Sequence, residues 1–294
     1  MNASQTAPAF PPISTTLIAV EPAPLLSPFD DPECSYPSMP NEMHTFRSPS
    51  LHGYDQRDVA GGRALLAEVA LRLGDGVQGR WDLRGLDAAS RSFIGEVLGR
   101  GEISVRVDGF PHPERQRLEM EESVFAGLWQ IRRYLDDGDL EDYLEIGPLP
   151  SAVYQWAELL TQGGALTMPS RFPGGVMNAP AILVEIADKS QNYPLGGAST
   201  LNLSLLPMTP QDVALVADVL GLAGLSLVSK GYGDCRIHLT RVPNVWWVQY
   251  FNAPGQMILN TLEITAVPQV ALAAAEDIGD SAARLRETLA ALDA

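Results

Sequence analysis

Cysteine and lysine are both scarce in this sequence of 294 residues. The two cysteines, Cys34 and Cys235, fall in a predicted tail and a predicted strand, so we expect no structural disulfide. The four histidines are scattered and form neither a C-x-x-C nor an H-x-x-x-H pattern. A dedicated zinc or iron–sulfur site is therefore not expected, and the sequence predicts no metal and no cofactor.

Long apolar runs are also missing, so the sequence predicts no membrane insertion. The short run "STTLIAV" near the start has no basic segment before it, which argues against a secretory signal and favours a cytoplasmic protein. The net charge of −16 disfavours nucleic-acid binding, because it repels phosphate groups. Such a charge attracts a basic segment of a partner, or it provides only a well-solvated surface.

Common catalytic motifs are absent: G-x-x-x-x-G-K-S/T, G-x-G-x-x-G and G-x-S-x-G do not occur. Cys235 and His238 suggest a Cys–His nucleophile, but three residues apart on a strand they face opposite ways. Cys235 is better explained as a small buried hydrophobic residue. We therefore predict that the protein is not an enzyme.

Proline is concentrated at the N-terminus, where ten of the 23 prolines lie within the first 50 residues. Without an apolar period this part cannot form a core, so we predict an extended or disordered tail over residues 1–60. Within it, "YPSMPNEMHTFRSP" (36–49) contains Met43 and Phe46, which are more apolar than a linker requires. The segment is either a plain linker or a binding segment for the body or for a partner.

The remaining sequence contains one pattern twice. Trp129 in "GLWQIRRY" and Trp247 in "VWWVQYFN" lie 118 residues apart, as do "YLEIGPLP" (143–150) and "TLEITAVP" (261–268). Each copy predicts helix, strand, helix, about four antiparallel strands and a helix, which is an α+β class. We predict two units, 61–165 and 166–294, which pack with pseudo-two-fold symmetry. "LNLSLLPM" (201–208) is predicted as a strand of the second unit. The helix predicted after it has Thr209 as its N-cap, Pro210 at its first position and Gly221 at its end.

Several surface features are candidate partner-binding residues. The glycines of "GYGDCR" (231–236) predict a tight turn that presents Tyr232, with Arg236 leading the next strand. "VWWVQYFN" ends at Asn252, and its Trp246 faces away from Trp247, toward the other unit or a partner. The acidic turn within "RRYLDDGDLEDYLEI" lacks calcium-loop spacing and offers three carboxylates to a basic partner: Asp136, Asp137 and Asp139.

Five stretches together resemble the HupH/HyaF family of hydrogenase expression and formation proteins. They are "YPSMPNEMHTFRSP", "GGVMNAPAILVEI", "GYGDCRI", "VWWVQYFN" and "MILNTLEITAVP". The resemblance implies a maturation factor of uptake nickel–iron hydrogenases that acts in the cytoplasm before export. It implies a chaperone for the small-subunit precursor, the iron–sulfur subunit with a twin-arginine signal, and a thioredoxin-like companion chaperone. It implies no catalytic residue.

Two other functions are compatible with the sequence. One is an enzyme of hydrogenase cofactor or cluster assembly that uses Cys235. The other is an adaptor that only bridges maturation factors.

Overall fold

A computed structural model describes residues 57–108, 117–135, 140–231 and 233–292. The described residues form six α-helices: α1 (Ala60–Gly74), α2 (Ala88–Leu98), α3 (Ser151–Thr161), α4 (Ala179–Asn192), α5 (Pro210–Leu220) and α6 (Ala275–Ala291). They also form ten strands: β1 (Arg80–Asp82), β2 (Ile103–Val107), β3 (Arg117–Glu122), β4 (Leu128–Tyr134), β5 (Leu140–Ile146), β6 (Ser199–Asn202), β7 (Leu222–Ser229), β8 (Asp234–Thr240), β9 (Val245–Phe251) and β10 (Met257–Ile264).

All ten strands belong to one antiparallel sheet, in the order β1-β5-β4-β3-β2-β7-β8-β9-β10-β6. The α+β class is thus confirmed. From the central β2–β7 pair outward, the first half follows β2-β3-β4-β5-β1 and the second half follows β7-β8-β9-β10-β6. The predicted boundary at residue 165 lies in the loop between α3 and α4, and the sheet runs without interruption across both halves.

Local chemistry fixes the ends of α5 where the sequence predicts them. Thr209 accepts the backbone N–H of Asp212 through its hydroxyl, and Asp212 accepts the backbone N–H of Thr209 in return. Pro210 occupies the first helical position, which needs no N–H donor. Gly221 ends the helix at a φ of 56°, a conformation that suits glycine.

The two faces of the sheet carry different layers, because side chains alternate along each strand. The helical face is covered by α1, α2 and α6 over the first half, and by α4 and α5 over the second. The opposite face, here called the α3 face, forms one apolar cluster that runs across both halves under α3 and a 3-10 turn, Gln269–Ala271. None of the helices in the described ranges is long and apolar enough to cross a membrane.

One predicted strand is present but ends earlier than predicted. In residues 201–208 the strand ends at Asn202, whose side-chain oxygen accepts the backbone N–H of Ser204 at 3.0 Å and begins a 3-10 turn, Leu203–Leu205. Such a local side-chain hydrogen bond competes with the sheet ladder. As a result Leu205 and Leu206 lie at the surface and do not continue a strand.

Candidate functional site

Arg236 lies on β8 where its guanidinium stacks over the ring of Phe251 on β9, with 4.4 Å to the ring centroid. The preceding turn contains Gly233 at a φ of 119°, and a Cβ there would lie 3.0 Å from the carbonyl oxygen of Phe251. Glycine is therefore needed for this close approach. Tyr232, the predicted presenting residue of the turn, lies outside the described residues.

Asn252 follows Phe251 and shapes the turn between β9 and β10. Its side-chain oxygen accepts the backbone N–H of Gln256 at 2.8 Å, and its backbone N–H donates to the carbonyl of Gln256 at 2.9 Å. Asp234 pairs with Phe251, so the turn after β7 and the turn after β9 lie at the same end of the sheet. The structure thus places Arg236 and Asn252 at the same end of the sheet.

The two adjacent tryptophans of β9 pack on opposite faces. Trp247 packs with α4 and α5, and its indole N–H bonds the side-chain oxygen of Asn260 at 2.5 Å. The predicted match of Trp129 to Trp247 was wrong, because Trp129 packs on the α3 face, as Trp246 does. Trp246 is fully buried on the α3 face, and its indole N–H lies 3.2 Å from the carbonyls of Thr265 and Ala266. Trp246 therefore serves the core between the halves in this structure, and a partner would reach its ring only after the covering layer moved.

Cys235 and His238 point to opposite faces of β8, as the strand pattern predicts. Cys235 belongs to the apolar cluster of the α3 face, whereas His238 is paired with Trp247 on the helical face. Burial raises the pKa of the Cys235 thiol to about 12, which disfavours a thiolate at neutral pH. Burial, together with the charge of Arg236, lowers the pKa of His238 to about 4, so this imidazole is neutral near pH 7.

The acidic turn lies between β4 and β5, and Asp136, Asp137 and Asp139 are outside the described residues. The strand ends that flank it carry cross-strand ion pairs: Arg133 lies 3.7 Å from Glu141, and Arg132 lies 4.0 Å from Asp142. The predicted hairpin between β4 and β5 is present. Met43 and Phe46 of the N-terminal segment also lie outside the described residues.

Sequence reasoning missed the role of Asp212, a fully buried carboxylate at the start of α5. One of its oxygens accepts three successive backbone N–H groups at the start of α4, from Met177 (2.8 Å), Asn178 (2.9 Å) and Ala179 (2.9 Å). Burial alone would raise the pKa of Asp212, but the hydrogen bonds from Ala179, Thr209 and Met177 outweigh it and lower the pKa to about 2. Asp212 therefore caps two helices at once.

This arrangement supports an exposed apolar surface, the apolar patch, formed by Met177, Leu205 and Leu206, which are 72%, 81% and 40% exposed. The two segments that carry them are tied together: the Asn178 amide donates to the carbonyl of Pro207 at 2.7 Å. Neighbouring exposed apolar side chains of this kind are a feature of protein-binding surfaces. The signal in the sequence was "GGVMNAP", where a methionine precedes the start of a helix, and the uncharged run "SLLPM".

Within the described ranges, no three His, Cys, Asp or Glu side chains come together as a possible metal-binding group.

Comparison with known proteins places these features in a family. The model of the HupH hydrogenase expression protein, C-terminal conserved region, matches residues 176–292. The hydrogenase expression/formation protein HupH of Rhodobacter capsulatus is 38% identical over 268 residues, which covers 90% of this chain and 94% of that relative. HoxQ of Cupriavidus necator is also 38% identical, over 88% of this chain and 92% of the relative. This chain belongs to the HupH family of hydrogenase expression/formation proteins.

Two further matches were found. The hydrogenase-1 operon protein HyaF of Escherichia coli is 35% identical over 70% of each chain. The solved structure of the hydrogenase expression protein HupH from Thiobacillus denitrificans is 32% identical and covers 40% of this chain and 97% of its own, with a TM-score of 0.36.

The resemblance stated from the sequence is thus confirmed, and a role in hydrogenase expression and formation follows from it. Within this HupH-family chain, the apolar patch, Asp212 and the Arg236–Phe251 pair all lie inside the matched C-terminal region. The names of these relatives describe expression and formation proteins and not enzymes.

Proposed function

We propose that this HupH-family protein is a chaperone for the small-subunit precursor of a nickel–iron hydrogenase. It binds the iron–sulfur subunit in the cytoplasm before export, with a thioredoxin-like companion chaperone as a second partner. In this role the protein forms and breaks no covalent bonds, and it acts only by binding the immature subunit.

The apolar patch is the observation that carries this proposal. Burying an apolar side chain of this size contributes about 1.5 to 3 kcal/mol, so three such side chains provide a useful part of a binding energy. Asp212 holds the backbone of residues 177–179, and the Asn178 amide ties this segment to Pro207, so little further ordering is required when a client binds. The precursor is expected to present an apolar segment to this surface.

We further infer that the two halves arose by internal duplication. The same outward strand order in both halves supports this proposal, as does the pairing of Trp129 with Glu145 and of Trp246 with Glu263. By this register the counterpart of Trp129 is Trp246 and not Trp247, which the spacing of 118 residues had matched to it. In this view the halves share a scaffold and differ in surface. The acidic turn belongs to the first half and the apolar patch to the second, which would hold a client in one orientation.

The alternative assembly enzyme depends on Cys235, whose burial and raised pKa make it a poor nucleophile. The adaptor is distinguished by its partners. A pure adaptor would capture other maturation factors in cells that lack any hydrogenase precursor, whereas a chaperone would require the precursor.

The test is affinity purification of the tagged protein from cells that express the hydrogenase operon, with mass spectrometry of the bound chains. Replacement of both Met177 and Leu205 by Ser should reduce recovery of the small-subunit precursor at least several-fold. Leu71→Ser is the matched control, because Leu71 is comparably exposed on α1 in the other half. Unchanged recovery with the double variant would exclude the apolar patch as the client-binding surface.

A further inference from the structure

The centre of the helical face is not covered by the helices of the described residues. The helices pack on the outer strands β4, β5, β9 and β10, and the four central strands β3, β2, β7 and β8 contribute no side chain to either helical cluster. We call this surface the central trough. The side chains that face it from these strands include Ser104, Arg106, Glu119, Glu121, Ser226, Val228, Arg236 and His238.

The dimensions of the trough suit an extended chain. Four strands at a spacing of about 4.8 Å give a floor about 14 Å across. The floor has little net charge, because Arg106 and Arg236 are balanced by Glu119 and Glu121, and Arg106 lies 3.8 Å from Glu119. Strongly basic or acidic segments therefore gain nothing here, whereas a polar segment with isolated apolar side chains fits.

One side of the trough is bordered by a row of polar side chains. Arg236 pairs with Gln249, and Gln249 pairs with Asn260, across β8, β9 and β10. Gln249 and Asn260 are both buried. Because these two amides are buried, the donor of this row at the trough is Arg236. A guanidinium donates hydrogen bonds to peptide carbonyls, and a segment that contains prolines offers carbonyls while it lacks some of its own N–H groups.

The N-terminal segment of the chain has this chemistry. Residues 36–49 contain three prolines, one glutamate and one arginine, together with Met43 and Phe46. The match to the Rhodobacter capsulatus relative covers 90% of the chain, whereas residues 57–294 make up only about 81% of it. The similarity therefore extends into the first 56 residues, whereas a linker without a specific role would not need to resemble its relative.

The described residues begin close enough to the central trough for residues 36–49 to reach it. The carbonyl of Asp58 lies 3.4 Å from the hydroxyl of Ser90 at the start of α2. The far end of α2 leads to Arg100, which lies 3.8 Å from Glu121 on the trough floor. The helix is about 16 Å long, and the eight residues from 49 to 57 span up to about 27 Å when extended.

We propose that residues 36–49 bind in the central trough of the same chain, with Met43 and Phe46 placed toward Val228 and with backbone carbonyls placed toward Arg236 on β8. The occupant is thus the protein's own N-terminal segment. This inference does not depend on the chaperone proposal.

The test uses the full-length protein with a photo-crosslinking residue, p-benzoylphenylalanine, in place of Phe46. After illumination and digestion, mass spectrometry should locate the adducts within β7, β8 and β9, in chains of monomer mass. The same residue in place of Phe10, which lies outside 36–49, is the matched control and should give a several-fold lower yield at these strands. Met43→Ser should reduce the Phe46 crosslink several-fold, and Ile18→Ser should leave it unchanged.

Each other result contradicts the proposal. Adducts found only between two chains would assign the trough to a second copy. Adducts confined to the apolar patch or to the α1–α6 surface would place the segment elsewhere, and equal yields from positions 46 and 10 would show nonspecific contact. All of these variants change only the N-terminal segment, so we expect the described residues to fold as in the natural protein. Client capture by the apolar patch is measured in a separate experiment.

Discussion

Asp212 at the start of α5 accepts a hydrogen bond from the backbone N–H of Ala179 at the start of α4, at 2.9 Å. One carboxylate thereby satisfies donors of two helices that lie more than thirty residues apart in sequence. The free N–H groups at a helix start attract negative charge, so Asp212 acts for α4 as a bound anion would. The same contact fixes the backbone that carries Met177.

Replacement of Asp212 by Asn tests this arrangement. The amide keeps one acceptor but presents N–H donors toward the N–H and hydroxyl of Thr209, and it removes the charge. We expect a loss of about 2 kcal/mol in the free energy of unfolding, measured by urea denaturation at pH 7. We also expect weaker client capture.

The exposed Asp218 on the same helix provides the control for this prediction. Asp218→Asn should change stability by less than about 0.5 kcal/mol. Equal stabilities of the two variants would contradict the proposed double cap. The pKa of Asp212 is lowered in the folded state, so its contribution is present above its ordinary pKa of 3.8 and is lost as the pH falls toward about 2.

The stability contribution of Glu122 is expected to have the opposite pH dependence. Burial raises its pKa to about 7, and the charges of Glu102 and Asp277 add to the effect, while the N–H of Gly127 opposes it from 3.1 Å. An acid with a raised folded pKa keeps its proton longer in the folded state, so its contribution to stability falls as the pH rises from 4.5 to about 7. This shift corresponds to about 3 kcal/mol.

Glu122→Gln should therefore be more stable than the natural protein at pH 8 and similar to it at pH 4.5, because the amide resembles the protonated acid. Urea unfolding at several pH values measures the difference. Glu121→Gln is the matched control for the loss of one negative charge on the same strand. Parallel stability curves for the natural and Glu122→Gln proteins would refute the prediction.

How far the sequence determined the fold can be judged from a few residues. Thr209, Pro210 and Gly221 are local signals, and they placed α5 correctly. The alternation around Cys235 and His238 placed them on opposite faces, because the period of two is also a local property. The strand predicted over 201–208 ends at Asn202, because the side chain of Asn202 accepts the backbone N–H of Ser204 and a 3-10 turn follows.

The candidate site was less predictable. The proximity of Met177 to Pro207, and the reach of Asp212 to α4, depend on tertiary packing between segments thirty residues apart. No periodicity in either segment reveals such a contact. For Trp246, the sequence predicted that its ring faces away from Trp247. It did not predict whether the other half or a partner covers the ring, because that depends on the layer that α3 and the 265–271 segment form.

Cys235 provides a test of the enzyme alternative. Cys235→Ala removes a buried thiol whose pKa is raised to about 12, so we expect normal maturation of the hydrogenase and a stability loss of only about 1 kcal/mol. Hydrogenase activity in cells and denaturation of the purified variant measure the two effects. Lost maturation in a variant that still folds and still binds the precursor would favour the enzyme.

The acidic turn gives an electrostatic prediction for the proposed client. If Asp136, Asp137 and Asp139 attract the arginines of the precursor signal, changing all three to Asn should weaken binding of a twin-arginine peptide several-fold in about 0.05 M salt. Raising the salt to about 0.5 M shortens the screening length from about 14 Å to about 4 Å and should produce a similar loss in the natural protein.

Titration calorimetry of the peptide against both proteins provides this measurement. The control variant removes three exposed carboxylates from α6, those of Glu276, Asp280 and Glu287, and so matches the change in net charge. A local role of the turn requires the control to bind nearly as well as the natural protein. Equal losses in the two variants would show that only the overall charge of −16 matters, and an affinity independent of salt would remove the electrostatic proposal altogether.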